Sequence, residues 1–501
     1  MKILLVYPEF LVTFWSWKYL LKFVSKKAAF PPLGLLTVAA ILPKSWEKKL
    51  VDINVRKLTD EQIRWADYVF ISAMIAQKDS AKEVISRCNK LGAKMVIGGP
   101  ILDMGCEEFE EVSYFLLGEV ENTLPSFLED LERGNAKRVY APNNFPDIAA
   151  SPIPLWELIN PEDYASMFVQ YGRGCPFKCT FCNIAAINGR IPRSKLSDQF
   201  LSELDAIYQT GFRGPVLLAD DNFIGNKAKV KEMLPKLIKW QEDRGHPFDF
   251  TTEVPITLAD DQDLMKMMVA AGFYKVFLGL ETPITASLIE CNKLQNAKRD
   301  MAACVKRIQN NGLHPMSGFI VGFDNDPPVT FDTLMIDFIQ RTGVVMAMVG
   351  VLQAPPKTEL HAKLRREGRL LKDASGNNTD CSLNYIPRMD AKILLRGYRR
   401  IIETIYSPKK YYERICVFLR EYSASKNKRK KIGIDDAKAF IRSIWYIGLT
   451  GGLRTSWYYW RTILTAFFKY RQAFSEAVAL QIYGAHFQKV AKGIKKSQGS
   501  S

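Results

Sequence analysis

Short β-branched runs alternate with amphipathic stretches along the first three quarters of the sequence, in two separate blocks. In the first block, residues 1–140, the strand-like runs cover residues 2–8, 49–56, 67–73, 94–99 and 113–119. Such alternation is typical of a parallel, doubly wound sheet, which binds ligands beyond the carboxyl ends of its strands. The first block therefore predicts an α/β domain over residues 1–145.

The second block predicts a partial barrel over residues 166–370. Its six strand-like runs cover residues 167–172, 215–220, 248–254, 275–281, 316–322 and 344–352, and the segments between them are amphipathic. Six β/α units fit three quarters of an eight-fold barrel, in which the chemistry takes place at the carboxyl ends of the strands. The proline-rich residues 146–165 predict a linker that runs over a surface between the two blocks.

Strand signals stop after the barrel, and residues 371–501 predict a mainly helical domain. Residues 426–433 (KNKRKKIG) are typical of an exposed connector and residues 495–501 of a disordered end. Residues 401–501 carry 19 Lys and Arg against 6 Asp and Glu, and residues 441–487 interleave aromatic residues with cations. This pattern favours either peripheral contact with an anionic membrane or an all-α domain that packs its aromatic side chains on the barrel. Nucleic acid is not expected as a partner, because no RNA-binding appendage is recognisable.

Composition and the start of the chain predict a folded cytoplasmic protein. Of the 501 residues 47% are hydrophobic and 24% are charged, and the sequence shows neither an export signal nor a run of 18 apolar residues. Attachment to the cytoplasmic face of the membrane stays open. Because the cytosol keeps thiols reduced, we interpret six scattered cysteines as small buried side chains: Cys88, Cys106, Cys291, Cys304, Cys381 and Cys416. We interpret His314 and His486 as structural residues.

Three further cysteines follow the first barrel strand in the string YGRGCPFKCTFCNI, residues 171–184. Thiolates select zinc or iron–sulfur sites. A structural zinc site needs four ligands, commonly two CxxC-like pairs, and this sequence has no second pair and no histidine nearby. Three cysteines on a four-iron cluster leave one iron open to a substrate or cofactor. Cys175, Cys179 and Cys182 therefore predict one [4Fe–4S] cluster with an open iron.

The spacing CxxxCxΦC resembles the signature of the radical S-adenosylmethionine (SAM) superfamily. The resemblance implies that the open iron chelates the amino and carboxylate groups of SAM. It also implies that a flavodoxin- or ferredoxin-type donor supplies the electron that cleaves SAM to a 5′-deoxyadenosyl radical. The SAM contacts expected from the family motifs are Phe181, Asp220, Asp221, Asn222, Glu253, Glu281, Gly318 and Gln353.

Several of these positions have a purely structural alternative. Asp220 and Asp221 could cap the helix that begins near Asn226. Glu253 and Glu281 could be carboxylates at the barrel mouth that pair with Arg173 or Lys275. The location of all these residues at the same end of successive strands favours the functional interpretation.

A doubly wound domain followed by such a barrel resembles the cobalamin-binding class of the superfamily. The strings LADDNFIGN, FLGLETP, GFIVGFD and IYGAHFQKV resemble a branch that includes hopanoid C-2 methylases and bacteriochlorophyll side-chain methylases. The resemblance implies that residues 1–145 form a cobalamin-binding-like Rossmann domain. It further implies that a methyl group passes from methylcobalamin to a carbon radical of a hydrophobic substrate, which would be a lipid, a hopanoid-like molecule or a tetrapyrrole.

The expected cobalamin contacts follow the strands of the first block: Tyr7, Ser72, Met74, Gln77, Gly98, Gly99, Gly118 and Glu119. Any one of these could instead belong to a simple tight turn. The Asp-x-His-x-x-Gly motif that supplies a lower cobalt ligand in many cobalamin proteins is absent, since residues 1–140 contain no histidine. Two alternatives also stay open, namely non-methylating radical chemistry such as ring closure or C–C coupling, and an iron–sulfur redox or binding protein.

Overall fold

The computed structural model describes residues 1–377, 379, 381–423 and 433–497. The connector predicted at 426–433 lies outside these residues except for Gly433, which precedes a helix. The chain end predicted as disordered is helical as far as Ser497, and its last four residues lie outside the described part. Within the described residues no helix is both long enough and apolar enough to cross a membrane.

The N-terminal sheet has six parallel strands in the order β2-β1-β3-β4-β5-β6. Its strands are β1 (Lys2–Tyr7), β2 (Glu47–Asp52), β3 (Tyr68–Ser72), β4 (Lys94–Gly98), β5 (Tyr114–Leu116) and β6 (Val139–Tyr140), and its helices are α1 (Leu21–Val24), α2 (Leu33–Ile41), α3 (Asp60–Trp65), α4 (Lys78–Lys90) and α5 (Val120–Glu132). The strand order reverses between β1 and β3, so a ligand crevice is expected beyond the carboxyl ends of these two strands.

Two details of this sheet differ from the sequence prediction. The second strand ends at Asp52 rather than at residue 56, because the Asp52 carboxylate accepts hydrogen bonds from the backbone and side-chain N–H groups of Asn54 and begins a turn. A sixth strand of only two residues, β6, is too short to leave a sequence signal.

The second sheet forms the predicted partial barrel, with the strand order β14-β13-β12-β11-β10-β7 and all pairs parallel. Its strands are β7 (Met167–Val169), β10 (Gly214–Leu218), β11 (Phe248–Val254), β12 (Phe273–Glu281), β13 (His314–Val321) and β14 (Ala347–Val351). Its helices are α6 (Ile184–Ile187), α7 (Ser197–Gln209), α8 (Lys227–Asp243), α9 (Gln262–Ala270), α10 (Thr285–Glu290), α11 (Leu294–Ala297), α12 (Met301–Asn310), α13 (Phe331–Thr342) and α14 (Glu359–Arg366). A short antiparallel pair, β8 (Gly172–Arg173) and β9 (Arg193–Ser194), follows the first barrel strand and was not predicted.

Side chains on the two faces of the barrel strands differ in burial. Those that point outward are buried against the helices, as Phe250, Val276 and Phe319 show. The alternate residues on the inner face are only half-buried: Leu217, Ala219, Thr251, Glu253, Phe277, Gly279, Gly318, Ile320 and Gly350. The inner face of the barrel is therefore not sealed by its own side chains.

The C-terminal part is helical and packs on the barrel. It contains α15 (Ala391–Ile405), α16 (Pro408–Glu421), α17 (Ile434–Ser443), a π-helical turn (Ile444–Leu449), α18 (Leu453–Lys469) and α19 (Phe474–Ser497). The buried His314 on β13 contacts the Glu476 carboxylate of α19 at 2.6 Å. His486 is also fully buried, with its ring 3.1 Å from the Phe14 carbonyl, and burial lowers its pKa to about 4. Both histidines thus occupy structural positions between elements.

The linker is more firmly attached than its composition predicts. Its residue Tyr164 donates a hydrogen bond from its hydroxyl to Asp52 of the N-terminal sheet, and the Asp163 carbonyl accepts the backbone N–H groups of Lys27 and Ala28. Trp156 is buried in the same segment. These contacts fix the linker to the N-terminal domain, while most of its residues are exposed or half-buried. The boundaries at residues 145, 165 and 370 stay predictions.

Candidate active site

The three cysteines of the CxxxCxΦC string lie on a loop that folds back on itself between β8 and β9. Gly174 opens the loop with φ +95°, and a Cβ atom there would lie only 2.9 Å from the Ile191 carbonyl oxygen. The backbone N–H of Cys175 donates to the Gly189 carbonyl across the loop. The tight return therefore requires glycine at 174, and it places the cysteine segment at the carboxyl end of the barrel.

The thiols of this loop are half-buried and carry no disulfide. Burial raises the pKa of Cys182 to about 12 and raises that of Cys179 as well. Without a metal, the Cys179 and Cys182 thiols stay protonated at neutral pH, whereas a thiol that coordinates a metal is deprotonated by it. Among the described residues, no three His, Cys, Asp or Glu side chains converge on a single-ion position.

Two residues after strand β10 hold the cysteine loop in place. The Asp221 carboxylate accepts the backbone N–H of Gly174 at 2.9 Å and the side-chain amide of Asn188 at 2.8 Å. The side-chain amide nitrogen of Asn222 lies 3.7 Å from the sulfur of Cys175. The capping alternative is wrong, because the α8 helix is capped by Asn226 itself, whose side chain accepts the N–H of Lys229.

Three buried side-chain oxygens at the barrel mouth have no hydrogen-bond partner among the described residues: Asp220 Oδ2, Asn222 Oδ1 and Gln353 Oε1. The other carboxylate oxygen of Asp220 accepts the Tyr171 N–H at 2.8 Å. Burial raises the pKa of Asp220 to about 8. A buried acceptor without a donor is costly, so these oxygens fit a ligand with several N–H donors, as the amino group of SAM provides.

Glu253 and Glu281 occupy different environments at the same end of the barrel. Glu253, on β11, is half-buried and makes no side-chain hydrogen bond with a described residue, and burial raises its pKa to about 7. Glu281 is buried and lies where the register between β12 and β13 shifts, with φ +62°. Its carboxylate pairs with the ammonium group of Lys293 at 2.6 Å.

The pairing alternatives considered for these two carboxylates are therefore wrong. Arg173 binds Glu119 and Glu121 instead. Lys275 donates its hydrogen bond to the Tyr483 hydroxyl at 2.7 Å, far from the mouth.

Lys293 is the functional candidate that sequence reasoning missed. Its ammonium group lies 6.0 Å from the Phe181 ring of the cysteine loop, and its positive charge acts to lower the pKa of Cys179 and Cys182. Gly279 makes room for the ion pair, since a Cβ atom there would lie 2.6 Å from the Lys293 nitrogen. A single lysine in the turn between α10 and α11 belongs to no motif, so the sequence carries no signal for it.

Phe181 and Gly318 take the places expected on the cysteine loop and on β13. The Phe181 ring packs against Phe323 with 6.3 Å between ring centroids. Gly318 lies on the inner face of the barrel, where a Cβ atom would approach the Phe277 ring to 3.2 Å. The Phe277 ring in turn contacts the Trp15 ring of the N-terminal domain at a centroid distance of 5.0 Å.

The edge of the N-terminal sheet carries the residues predicted to contact cobalamin. Tyr7 and Ser72 are half-buried, and Met74 is exposed over 48% of its surface. Gln77 is buried and is used within the protein, since its amide donates to the Pro8 carbonyl and its oxygen accepts the Met74 N–H. Gln77 therefore shapes the edge by holding the turn after β3.

The glycines of this edge are placed in tight turns. Gly98 is the last residue of β4, and Gly99 follows it with φ +94° and lies so close to Ala73 that a Cβ atom would be 2.9 Å from the Ala73 oxygen. Gly118 has φ +68° and lies against Pro142. Gly99 and Gly118 therefore also fit the interpretation as tight turns. These turns leave backbone atoms rather than side chains at the edge of the sheet.

The carboxyl ends of the two sheets face each other. The buried Glu119 carboxylate, at the end of the N-terminal sheet, binds Arg173 at 2.6 Å and Arg193 at 2.5 Å on either side of the cysteine loop. A second contact joins Asp103 to the side-chain amide of Asn183, the neighbour of Cys182. The N-terminal sheet edge therefore lies one side-chain contact away from the cysteine loop.

Comparison with known proteins agrees with this geometry. The radical SAM superfamily matches residues 169–338, and a domain of unknown function (DUF4070) matches residues 358–500. The chain is 38% identical over its full length to an uncharacterized methyltransferase of Synechocystis, of which it covers 94%. It is 30% identical over 92% of its length to the hopanoid C-2 methylase of Rhodopseudomonas palustris, covering 89% of that protein. It is 23% identical over 75% of its length to the bacteriochlorophyllide d C-8(2)-methyltransferase of Chlorobaculum tepidum, covering 88% of that protein.

Two solved structures share the whole arrangement. The cobalamin-dependent SAM radical enzyme OxsB aligns with a TM-score of 0.65 at 14% identity, over 100% of this chain and 80% of that one. The radical SAM methyltransferase TsrM of Kitasatospora setae, solved with cobalamin and a [4Fe–4S] cluster, aligns with a TM-score of 0.60 at 13% identity, over 99% of both chains. These likenesses confirm the predicted fold class, and the relatives confirm the prediction of an enzyme. The chain therefore belongs to the radical SAM superfamily, in the group of methyltransferases that includes hopanoid C-2 methylase, with a [4Fe–4S] cluster and SAM as its cofactors.

Proposed function

We propose that the protein is a cobalamin-dependent C-methyltransferase that methylates a carbon of a hydrophobic substrate, either a hopanoid-like lipid or a tetrapyrrole. The relatives with named substrates act on molecules of these two kinds. Cobalamin binding is supported by the fold that the chain shares with OxsB and TsrM. The observation that carries the proposal is the direct contact between the N-terminal sheet edge and the cysteine loop, which Glu119 makes through Arg173 and Arg193.

The residues of the barrel mouth have separate roles in this proposal. When bound, the cluster with SAM would supply a radical and cobalamin would supply a methyl group. The unpartnered oxygens of Asp220, Asn222 and Gln353 accept the N–H donors of SAM. Glu253 accepts the ribose hydroxyls, and Gly318 leaves space for the adenine ring.

Other residues position these contacts. Lys293 holds the Glu281 carboxylate in one orientation through the 2.6 Å ion pair, and Asp221 holds the cysteine loop. The N-terminal sheet edge, with the half-buried Tyr7, Ser72 and Gly98, would contact the cobalamin. A large, flat cofactor fits an edge that presents backbone and half-buried side chains.

The apolar inner face of the barrel supports a hydrophobic substrate. Leu217, Phe277 and Ile320 are half-buried there, and they keep water away from a reactive radical while offering apolar contacts. We propose that such a substrate reaches the enzyme at the cytoplasmic face of the membrane, and that a flavodoxin- or ferredoxin-type protein delivers the electron to the cluster.

The test is anaerobic turnover of the protein reconstituted with iron, sulfide and cobalamin. It is incubated with methyl-deuterated SAM, dithionite and either a hopanoid or a tetrapyrrole extract, and products are read by mass spectrometry. We expect a product that carries a trideuteromethyl group, together with 5′-deoxyadenosine. A product that differs from the substrate but lacks the label would indicate ring closure or C–C coupling instead of methylation.

The matched control for this test compares two cysteine variants. Cys175→Ala removes a cluster ligand and should abolish the iron–sulfur absorbance and the formation of 5′-deoxyadenosine. Cys304→Ala removes a buried cysteine of helix α12 and should retain both. Equal loss of activity in the two variants would show an effect on folding rather than on the cluster.

A further inference from the structure

Helices α17 and α18 and the π-helical turn between them expose eight large apolar side chains. We call this surface the α17–α18 face. Its members are Ile441, Trp445, Leu449, Leu453, Trp457, Leu464, Phe467 and Phe468, and their exposed fractions range from 45% for Phe467 to 95% for Leu453. A soluble protein seldom leaves an apolar patch of this extent uncovered unless it binds something there.

Helical spacing shows that the members on α18 form a true face of that helix. Leu453, Trp457, Leu464 and Phe468 are separated by four, seven and four residues, which keeps them on one side of a helix with 3.6 residues per turn. The opposite side of α18 is buried against the protein by Tyr459, Thr462, Ile463 and Ala466. One side of the helix therefore packs on the protein, and the other presents an apolar stripe to the surroundings.

The charges along α18 are all positive, and the acidic residues of this surface, Asp435 and Asp436, lie at the start of α17. Between Asp436 and Glu476 the sequence contains no acidic residue, and Glu476 is buried against His314. Four exposed cations lie along the same stretch and form no ion pair with a carboxylate of the described residues: Arg454, Arg461, Lys469 and Arg471. Two of them lie over exposed rings, with Arg461 4.9 Å from Trp457 and Arg471 5.3 Å from Phe467.

We propose that the α17–α18 face binds the surface of an anionic lipid bilayer. Its Trp, Leu and Phe side chains enter the boundary between headgroups and acyl chains, and its cations contact lipid phosphates. A second copy of the chain fits this surface less well, because a two-fold interface centred on α18 would bring Arg454 and Arg461 towards their own copies, and α18 has no acidic residue to compensate them. The surface of an anionic bilayer supplies both the apolar layer and the negative charge.

This inference names the surface by which the enzyme meets the membrane in the proposed function, and it can be tested without turnover. Lipid binding needs neither substrate nor methyl transfer. A failure of the methylation assay therefore leaves the lipid-binding result intact. Equally, a failure to bind lipid leaves the result of the methylation assay intact.

The first experiment measures co-sedimentation of the full-length reconstituted protein with vesicles. We expect binding to vesicles of phosphatidylcholine mixed with phosphatidylglycerol. The triple variant Trp445→Gln, Trp457→Gln and Phe468→Gln should bind at least about tenfold more weakly, because three apolar side chains no longer enter the interface. The matched control replaces exposed apolar residues on other surfaces, Val329→Gln, Leu334→Gln and Leu371→Gln, and should bind like the wild type.

The second experiment tests the charge. Arg454→Glu with Arg461→Glu should weaken binding to the anionic vesicles on the order of tenfold and by less at high salt. The control Lys239→Glu with Lys266→Glu reverses two exposed cations elsewhere and should leave binding unchanged.

Several results would overturn the proposal. They are absence of wild-type binding to anionic vesicles, equal binding of the triple variant and the wild type, and binding that ignores the anionic lipid. Sedimentation velocity tests a further outcome. If the wild type were a dimer that does not bind vesicles, and the triple variant were a monomer, the face would bind a second copy of the chain. Quenching of tryptophan fluorescence by brominated lipid, lost in Trp445→Phe with Trp457→Phe, supports the proposal independently of the more disruptive substitutions.

Discussion

The carboxyl ends of the two parallel sheets of this protein meet through Glu119, yet they present opposite kinds of surface. The barrel mouth offers side-chain oxygens without internal partners, on Asp220, Asn222 and Gln353. At the N-terminal sheet edge, Gln77 and Glu119 are both occupied within the protein, and the turns are made of glycine. Topology alone therefore does not decide what a strand end recognises; the residues that follow the strands do.

The difference has a physical consequence for the ligand that each end can hold. Unpartnered buried oxygens select a small ligand with donors in fixed positions, because every unmade hydrogen bond costs free energy. An edge of backbone and half-buried side chains selects by shape, and it suits a broad ligand whose affinity comes from contact area. The barrel mouth is thus suited to SAM and the sheet edge to a corrin ring.

The contact that joins the two ends is expected to give the largest effect. Glu119→Gln removes the carboxylate between Arg173 and Arg193, whose side chains are only 14% and 17% exposed. Arg173 keeps its pair with Glu121, so we expect a loss of about 2–3 kcal/mol in unfolding free energy, somewhat less than for a fully broken buried pair. Urea unfolding measures this loss, and cobalamin affinity should fall with it while the cluster absorbance persists.

The control for Glu119 is an exposed pair of the same chemistry. Glu9 lies 3.5 Å from Lys18 with both side chains more than half exposed, and Glu9→Gln should change neither stability nor cobalamin binding measurably. If Glu119→Gln weakened SAM binding and cobalamin binding equally, the barrel mouth and the sheet edge would not be separate recognition surfaces.

A second prediction concerns the barrel mouth alone. In Gly279→Ala the new Cβ atom would lie 2.5 Å from the Glu281 carboxylate and 2.6 Å from the Lys293 nitrogen. Both atoms end flexible side chains, so the ion pair shifts while the fold stays intact. We expect SAM affinity, measured by equilibrium dialysis, to fall about tenfold, which corresponds to about 1.4 kcal/mol. The cluster absorbance and cobalamin affinity should be unchanged.

Gly493→Ala is the matched control, because nothing lies within 4 Å of a Cβ atom at that position of α19. It should bind SAM like the wild type. Unaltered SAM affinity in Gly279→Ala would place the Glu281–Lys293 pair outside the SAM site.

The two ends also differ in how far the sequence could predict them. The cysteine segment and the polar residues after β10 and β11 directly follow strands that are easily recognised from their apolar, β-branched residues. Their location at one end of the barrel therefore follows from the parallel topology. The pairing of individual charges did not follow. Arg173 was considered as a partner of Glu253, and it binds Glu119 in the other domain instead, because long side chains choose partners by three-dimensional proximity that spacing does not encode.

Lys293 is a second residue whose ion-pair partner the sequence does not predict. It reaches the Glu281 carboxylate from the segment between α10 and α11, and no local pattern marks it. At the sheet edge, Gly99 and Gly118 were recognisable as positions for close approach, yet the atoms that approach them belong to Ala73 and Pro142. A glycine shows that space is needed and does not show what fills it.

The smallest effect we predict is a pH dependence that belongs to the barrel mouth and has no counterpart at the sheet edge. Burial raises the pKa of Asp220 to about 8, well above the value of an aspartate in the unfolded chain. The folded state therefore binds the proton more tightly, and its advantage is lost as the pH rises through about 8. For protein without cluster or SAM, the unfolding free energy of the wild type should fall on the order of 1 kcal/mol between about pH 7 and pH 8.5, relative to Asp220→Asn. The asparagine keeps an oxygen for the Tyr171 N–H and carries no proton to lose. Urea unfolding of both proteins across this range measures the difference. If the unfolding free energies of wild type and Asp220→Asn changed with pH in the same way, Asp220 would not keep its proton in the folded protein. The barrel mouth would then lack the raised carboxyl pKa that distinguishes it from the sheet edge.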